Sequence, residues 1–525
     1  MRQISSVCPE CKKVLHSTLF EENGRIMLKK NCPEHGTFVE IYWSDSKLYD
    51  RFRRYSYVGS GVTNDSILSS HGCPWDCGIC SKHKTGTLLA NIDVTNRCNL
   101  SCPVCFANSK ASGFVYEPDF EQIQEMILTL RNQKPVPCYA VQFAGGEPTV
   151  REDLPKIIET ARKFGFSQVQ IATNGIRLAK SREYCEALKN AGLHTVYLSF
   201  DGVSEEPYRA TRGFNAFPVK QKVLENCRQS GLDSVVLVPT LIKGVNDHQV
   251  GNIVRFAVRN GDVVRGVNFQ PVAFTGRIDQ ALRNEQRITI PDLVALLEEQ
   301  TEGEIPSEAW YPASAAVPII RFVTAVRKVP LPEFTVHPLC GAATYIFEKE
   351  GRLIPINEFV DVEGFLEFLE NVTPEFKGQG SNVTKLAKVL YQIPRYIDEA
   401  KSPRNLNIVS LIRNFLKNGT RIQAAHFHRK ALFLGAMHFQ DLYNMDLEKV
   451  EHCGIHYTTP DGRVIPFCTY NNFHREGIET RYSKQYRKNM EFENMEFENM
   501  EFENMEFENM EFEKKSLENQ EKRVA

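Results

Sequence analysis

Between residues 88 and 272 the hydrophobic pattern switches regularly between two periods. Short apolar runs have the two-residue period of strands, and the segments between them have the 3.6-residue period of amphipathic helices. This reading predicts strands over 88–94, 139–144, 168–173, 195–200, 234–242 and 265–272. It predicts helices over 120–130, 153–164, 182–191, 219–230 and 248–259. Six strands joined by helical crossovers imply an α/β fold with a parallel sheet. Sheets of this kind place functional residues at the carboxyl ends of their strands. Several predicted strands end there on turn-forming residues: Gly145-Gly146, Asn174-Gly175, Asp201-Gly202 and Gly244.

The flanks read differently. Residues 1–60 form a small separate module with a β-like stretch over 25–28. Beyond 290 the pattern is weaker, with helices expected over 291–300, 359–369 and 385–391. His426, His428 and His438 fall in a region read as helical, where core or surface roles are expected. From Met490 the pentapeptide Met-Glu-Phe-Glu-Asn recurs, a period that fits neither helix nor strand. An acidic, low-complexity, disordered tail is expected. The expected division is 1–60, an auxiliary loop over 61–87, a core over 88–290, a C-terminal region over 291–485 and the tail over 486–525.

Composition narrows the class. The 525 residues are 42% hydrophobic and 24% charged, as in soluble globular proteins. No apolar run approaches the ~18 residues of a membrane span, and Met1-Arg2-Gln3-Ile4-Ser5-Ser6 offers no signal-peptide core. A cytoplasmic protein is expected; integral membrane, secreted and wholly disordered classes are not. The net charge of −2 divides into −8 for residues 489–525 and +6 for the rest. A body this mildly basic is not that of a nucleic-acid protein, but it suits an anionic substrate or a membrane surface.

The 15 cysteines change the picture most. An odd number in a cytosolic chain points to metal binding rather than disulfides. Cys98-x3-Cys102-x2-Cys105 follows the first core strand. Three thiolates can hold three irons of a cubane cluster and leave the fourth open to a bidentate small molecule. A closed zinc site is the alternative. Cys73-x3-Cys77-x2-Cys80 repeats the spacing and reads as a second cluster loop or a zinc site, with His83 nearby as a fourth ligand to consider. Cys8-x2-Cys11 and Cys32-x2-His35 make two knuckles that fit one tetrahedral metal, iron or zinc. A nucleic-acid ribbon competes for that segment but lacks the cluster of Lys and Arg with aromatics. Cys340, Cys453 and Cys468 are open between a third cluster and ordinary burial, while Cys138, Cys185 and Cys227 read as structural.

Two motifs together resemble the radical S-adenosylmethionine (SAM) superfamily. They are the cluster loop at Cys98, Cys102 and Cys105 followed by Phe106, and Gly145-Gly146-Glu147-Pro148 at the end of the second strand. The resemblance implies a partial (β/α)6 barrel, a [4Fe-4S] cluster and bound SAM. It implies SAM contacts from Gly145, Gly146, Glu147, Asn174, Ser199 and Asp201, and from Asn268 and Gln270 on the last strand. The chemistry implied is reductive cleavage of SAM to a 5′-deoxyadenosyl radical.

Over residues 5–475 the chain also resembles an archaeal family, the tetraether lipid synthases. The resemblance is carried by the N-terminal module, the loop Gly72-Cys73-Pro74, the segment Gly435-Ala436-Met437-His438-Phe439-Gln440-Asp441, and Cys453-Gly454-Ile455-His456-Tyr457 running on to Cys468. It implies one or two auxiliary [4Fe-4S] clusters and a mononuclear iron or zinc in the N-terminal module. It also implies an electron donor such as ferredoxin, an archaeal lipid substrate and peripheral contact with the inner face of the membrane. Carbon–carbon coupling of phytanyl chain ends is the leading expectation. Radical C-methylation of 7,8-dihydro-6-hydroxymethylpterin, also ascribed to this family, is the second. A non-catalytic metal-binding or nucleic-acid module is the third.

Overall fold

In the computed structural model, residues 1–65, 67, 70–109, 113–376, 382–403, 406–418 and 430–484 are described. The repeat tail, and with it the expectation of disorder, lies outside the described residues, as do His426 and His428. Met1–Ser483 forms one compact unit.

The N-terminal segment is an antiparallel meander of β1 (Arg2–Val7), β2 (Val14–Glu22), β3 (Arg25–Cys32) and β4 (Gly36–Trp43). The β-like stretch expected over 25–28 is thus the start of β3. The core then supplies β5 (Leu89–Thr95), β6 (Ala140–Gly145), β7 (Gln168–Thr173), β8 (Thr195–Ser199), β9 (Val235–Val238) and β10 (Val264–Pro271). These six pair in chain order and in parallel. They follow the expected strands to within a few residues, and the fold is the expected partial (β/α)6 barrel.

Strand alternation gives the barrel two unlike faces. Ala90, Ile92, Val94, Val141, Phe143, Val169, Ile171, Val196 and Leu198 belong to the hydrophobic core. They face the surrounding helices, because successive side chains on a strand point to opposite sides. The first such helix, Phe120–Arg131, buries Ile123, Met126, Ile127 and Leu130 on one stripe. Asp119 caps its start in a reciprocal bond pair with Gln122.

The alternate residues line the lumen, and many are polar. Gln170 Nε2 donates to Gln142 Oε1 at 2.7 Å, and Gln142 Nε2 donates to Asn91 Oδ1 at 2.7 Å. Gln168 reaches Thr195 at 2.9 Å. Nearer the carboxyl edge, the amides of Asn268 and Gln270 both donate to the Tyr197 hydroxyl. Bonding these amides to one another across strands satisfies groups that would otherwise be costly to bury.

The C-terminal region completes both edges of this sheet, which the pattern did not predict. The first addition is β11 (Gly341–Lys349), antiparallel to β12 (Leu432–Met437). In turn β12 lies parallel to β10, with Gly435 opposite Asn268. On the other edge β13 (Ile455–Thr458) runs parallel to β5, and β14 (Val464–Pro466) folds back on it. The reading of a helical region around His438 is corrected here, since His438 follows directly on a strand. Leu-Phe-Leu-Gly-Ala-Met is a short, uniformly apolar run, and periodicity cannot tell such a run from a helix segment. It is a strand because it is buried between two neighbours.

A buried charge cluster ties the last helix, Arg475–Arg481, to the first core strand. Arg475 donates to Asp93 at 2.7 Å and to Glu479 at 2.8 Å. Its guanidinium also lies over the rings of Tyr457 and Tyr470. Removing it strands two buried carboxylates. Arg475→Met is therefore expected to cost about 3–5 kcal/mol of stability; a denaturant midpoint equal to wild type would refute that role.

Candidate active site at the carboxyl edge

The cluster loop leaves β5 and is held at both ends. At its start, Gly146 N donates to Thr95 O and Glu147 N to Arg97 O, each at 2.8 Å. A Cβ on Gly145 would sit 2.0 Å from Thr95 O, and one on Gly146 2.2 Å from Arg97 O. The glycine pair is thus required by the chain itself, because the loop leading to Cys98 packs directly on it. At the far end, Cys105 and Arg277 exchange backbone hydrogen bonds of 2.9 Å. Between these anchors stand Cys98, Cys102 and Cys105, all free thiols.

Electrostatics distinguish the three. Burial pushes the Cys98 thiol up to about 12, with the nearby Glu147 carboxylate adding to the rise. Burial also acts on Cys105, but the backbone at Ser109 and the Arg277 guanidinium outweigh it and hold that thiol below its ordinary value. Arg212 faces Cys102 and is gripped by Asp201 through a two-pronged contact of 2.6 and 3.0 Å.

The expected SAM-contacting residues cluster above this loop. Glu147, 1% exposed, accepts from Thr149 N at 3.1 Å, Thr149 Oγ1 at 2.5 Å and Thr173 Oγ1 at 2.7 Å, and from Asn174 N at 2.8 Å. Burial raises its pKa, and these donors oppose the rise. Asn174 Nδ2 donates to Asn99 Oδ1 at 2.7 Å, which fixes the loop between Cys98 and Cys102. Ser199 accepts from Lys220 at 3.2 Å, and the same ammonium donates to the Asn174 carbonyl at 2.6 Å. Burial and the neighbouring Arg212 pull Lys220 down to about 7. Asp201 is engaged by Arg212, by Thr211 at 3.0 Å and by Thr240 N at 3.2 Å. Asn268 and Gln270 meet at Tyr197, deeper in the lumen.

Five residues here were not singled out from sequence: Asn99, Arg212, Lys220, Arg277 and Tyr197. Lys220 carried a signal, because it shares the spacing of Val223, Leu224 and Cys227 on the buried face of the helix Phe217–Ser230. A lysine in an apolar stripe is rarely tolerated without a reason.

Nine of the other cysteines gather at two places. Cys8, Cys11, Cys32 and His35 have ligand atoms within 4.8 Å of one another. Cys11 and Cys32 sulfurs are 3.8 Å apart. Two thiolates on one tetrahedral zinc at the usual bond length would stand about 3.8 Å apart. His35 Nδ1 lies 3.5 Å from Cys32 Sγ and 3.8 Å from Cys8 Sγ, which also fits. The second place is beside the barrel. Cys73, Cys77 and Cys80 line one pocket with His83. Cys340, Cys453 and Cys468, distant in sequence, lie close enough for their charges to interact, and Cys453 also faces Cys77. Burial raises all three thiols of that trio. His83 is turned to the Cys453 carbonyl at 2.8 Å and to His456 at 3.0 Å. Cys138, Cys185 and Cys227 are fully buried. An aromatic wall joins the cluster loop to this second group: Phe106 meets Phe439 and Phe467, and the last two stack at 3.8 Å beside Cys468.

A partial parallel barrel with three free thiols on the loop after its first strand, packed on a Gly-Gly-Glu turn, defines a radical SAM enzyme. A family model of the radical SAM superfamily matches residues 92–257, and one described as the HMPTM N-terminal zinc ribbon domain matches residues 1–44. The chain belongs to the family of the 7,8-dihydro-6-hydroxymethylpterin dimethyltransferase of Methanocaldococcus jannaschii. It is 51% identical to that protein over 485 residues, covering 91% of this chain and 95% of the relative. It is 26% identical to the GTP 3′,8-cyclase of Clostridium acetobutylicum over 59% of this chain and 98% of that one. Among solved structures, Streptococcus suis SuiB is similar over 42% of this chain and 47% of that one, at 19% identity and a TM-score of 0.34. Membership implies a [4Fe-4S] cluster, SAM, a reductant and a substrate, and the zinc ribbon supports a metal site at Cys8, Cys11, Cys32 and His35. Among the described residues no helix is long and apolar enough to cross a membrane.

The glycine geometry yields a direct test. Gly146→Ala places a methyl against the Arg97 carbonyl, so the reconstituted variant is expected to lose most of its SAM affinity. Wild-type SAM binding by calorimetry would contradict this account of the turn.

Proposed function

We propose that the chain is a radical SAM C-methyltransferase acting on 7,8-dihydro-6-hydroxymethylpterin. The observation that carries this is the 51% identity spanning 95% of a relative of that name. The polar lumen supports it, since Asn91, Gln142, Gln170, Asn268 and Gln270 present amides suited to a heterocycle rich in donors and acceptors.

Cys98, Cys102 and Cys105 would hold the SAM-binding cluster. When bound, cluster and SAM supply a one-electron reductive cleavage that yields a 5′-deoxyadenosyl radical able to take hydrogen from carbon. The residues of the chain do the positioning. The carbonyls of Gly145 and Gly146 and the side chains of Asn174 and Ser199 would hold the methionine end of SAM. Glu147 orients Asn174, and Asp201 orients Arg212 beside Cys102. Lys220, whose charge burial disfavours, would be drawn to its protonated form by a carboxylate. Asn268 and Gln270, through Tyr197, shape the lumen beneath.

Auxiliary clusters belong to the same proposal. Cys73, Cys77 and Cys80 would carry one, and Cys340, Cys453 and Cys468 a second. Each cysteine of a cubane binds a different iron, so such thiols stand further apart than those on a single ion. The division between 61–87 as an auxiliary loop, 88–290 as the catalytic core and 291–485 as the substrate and auxiliary region is part of this reading.

A second reading, coupling of phytanyl chain ends of archaeal diether lipids, is favoured by one observation: the aromatic wall of Phe106, Phe439 and Phe467. That apolar surface beside the cluster loop suits an alkyl chain. It would carry with it a peripheral membrane location and a donor such as ferredoxin.

Anaerobically reconstituted protein with SAM, a reductant and either substrate separates the two. Methylated pterin in the mass spectrum is expected. Cleaved SAM without methylated pterin, together with linked biphytanyl chains from the lipid, would replace the first reading by the second. Cys98→Ala is expected to abolish SAM cleavage with both substrates, and retained 5′-deoxyadenosine formation would overturn the cluster assignment.

A further inference from the structure

We propose that the metal held by Cys8, Cys11, Cys32 and His35 clamps the loop 440–446 and, through it, sets the position of Cys468. The ribbon has no contact role in the chemistry described above, yet its metal ligands sit at the ends of the strands that grip this loop. Cys8 directly follows Ser6 and Val7, and Cys32 closes β3 two residues after Lys30.

The grip is dense and buried. Lys30, 1% exposed, donates to the Val7 carbonyl at 3.0 Å and to the Leu442 carbonyl at 2.6 Å. One ammonium therefore bridges the metal-binding strand end and the loop. The Ser6 hydroxyl donates to the Met445 carbonyl. On β4, Tyr42 donates to Asp446 at 2.7 Å. Glu40 pairs with Arg283 at 2.9 Å and with Arg287 at 3.0 Å. Arg287 in turn pairs with Asp441 at 3.0 Å.

The opposite side of the same loop faces Cys468. Gln440 N donates to the Cys468 sulfur at 3.3 Å. Asp446 N donates to Gln440 Oε1 at 2.7 Å, so the two ends of the loop are tied together. Asn472 Nδ2 donates to both the Gln440 and the Cys468 carbonyls, at 2.9 and 2.7 Å. Loss of the metal frees the ends of β1 and β3. That releases Ser6, Val7 and Lys30 together, leaves buried carbonyls unpaired, and loosens the donor to Cys468. Lys30, Glu40 and Tyr42 are positioning residues in this scheme.

Hydrogen exchange on the full chain tests it, and the readout does not need Cys468 to hold a cluster. Two forms are compared with wild type: Cys11→Ser, whose metal loss is verified by counting, and Lys30→Met, which retains the metal. In both, amide exchange over 440–446 and at Cys468 is expected to accelerate on the order of tenfold or more, while 168–173 and 195–199 keep their protection. Acceleration confined to 1–43 in the metal-free form would overturn the clamp. If the metal-free chain loses protection throughout, Lys30→Met decides: faster exchange over 440–446 supports the clamp, and wild-type exchange there refutes it.

Discussion

The carboxyl edge of the core sheet depends on one buried carboxylate. Glu147 accepts four hydrogen bonds on two oxygens, and burial would otherwise favour its neutral form. Those donors come from its own turn and from the end of the neighbouring strand. Satisfying the charge therefore draws β7 and the Gly-Gly turn together. It leaves the Asn174 side chain pointing at Asn99, inside the cluster loop. The Asn174 carbonyl is then free to take Lys220, and Lys220 reaches Ser199. One desolvated charge thus sets the relative positions of three strand ends and the cysteine loop.

Two buried cations near this carboxylate are held differently. Arg212 has a full bidentate partner in Asp201. Lys220 has only neutral oxygen acceptors, which is why burial depresses it while Arg212 is held protonated. A guanidinium locked by a carboxylate is a fixed feature, whereas an ammonium resting on a carbonyl and a hydroxyl can exchange them for an anionic ligand. The site combines a rigid charge beside Cys102 with an adaptable one beside Asn174.

Much of this is legible in the sequence. The core strands and helices kept their periodicity because each packs one face on a common core, and the cysteine spacing with Gly145-Gly146-Glu147 marked the site. What escaped were features set by distant partners. The strand Leu432–Met437 has no polar alternation to reveal it, and Ile455–Thr458 is short; both become strands by pairing with β10 and β5. His83 lines the pocket with Cys73, Cys77 and Cys80, and what the sequence does not show is that its Nε2 also meets the Cys453 carbonyl and His456. Arg475 carries no signal in the sequence, since only folding brings it to Asp93.

The two edge strands also impose an order on assembly. Synthesis delivers residues 89–271 well before those two strands, as a sheet whose outer strands have unpaired backbone groups on both sides. Those groups find their partners only when Leu432–Met437 and Ile455–Thr458 emerge, with Cys453 just ahead of the second strand and Cys468 just behind it. For most of its synthesis the nascent enzyme therefore lacks the strands that flank its partial barrel. The loop of Cys98, Cys102 and Cys105 is thus made, with its sheet, long before the strands that flank that sheet on either side.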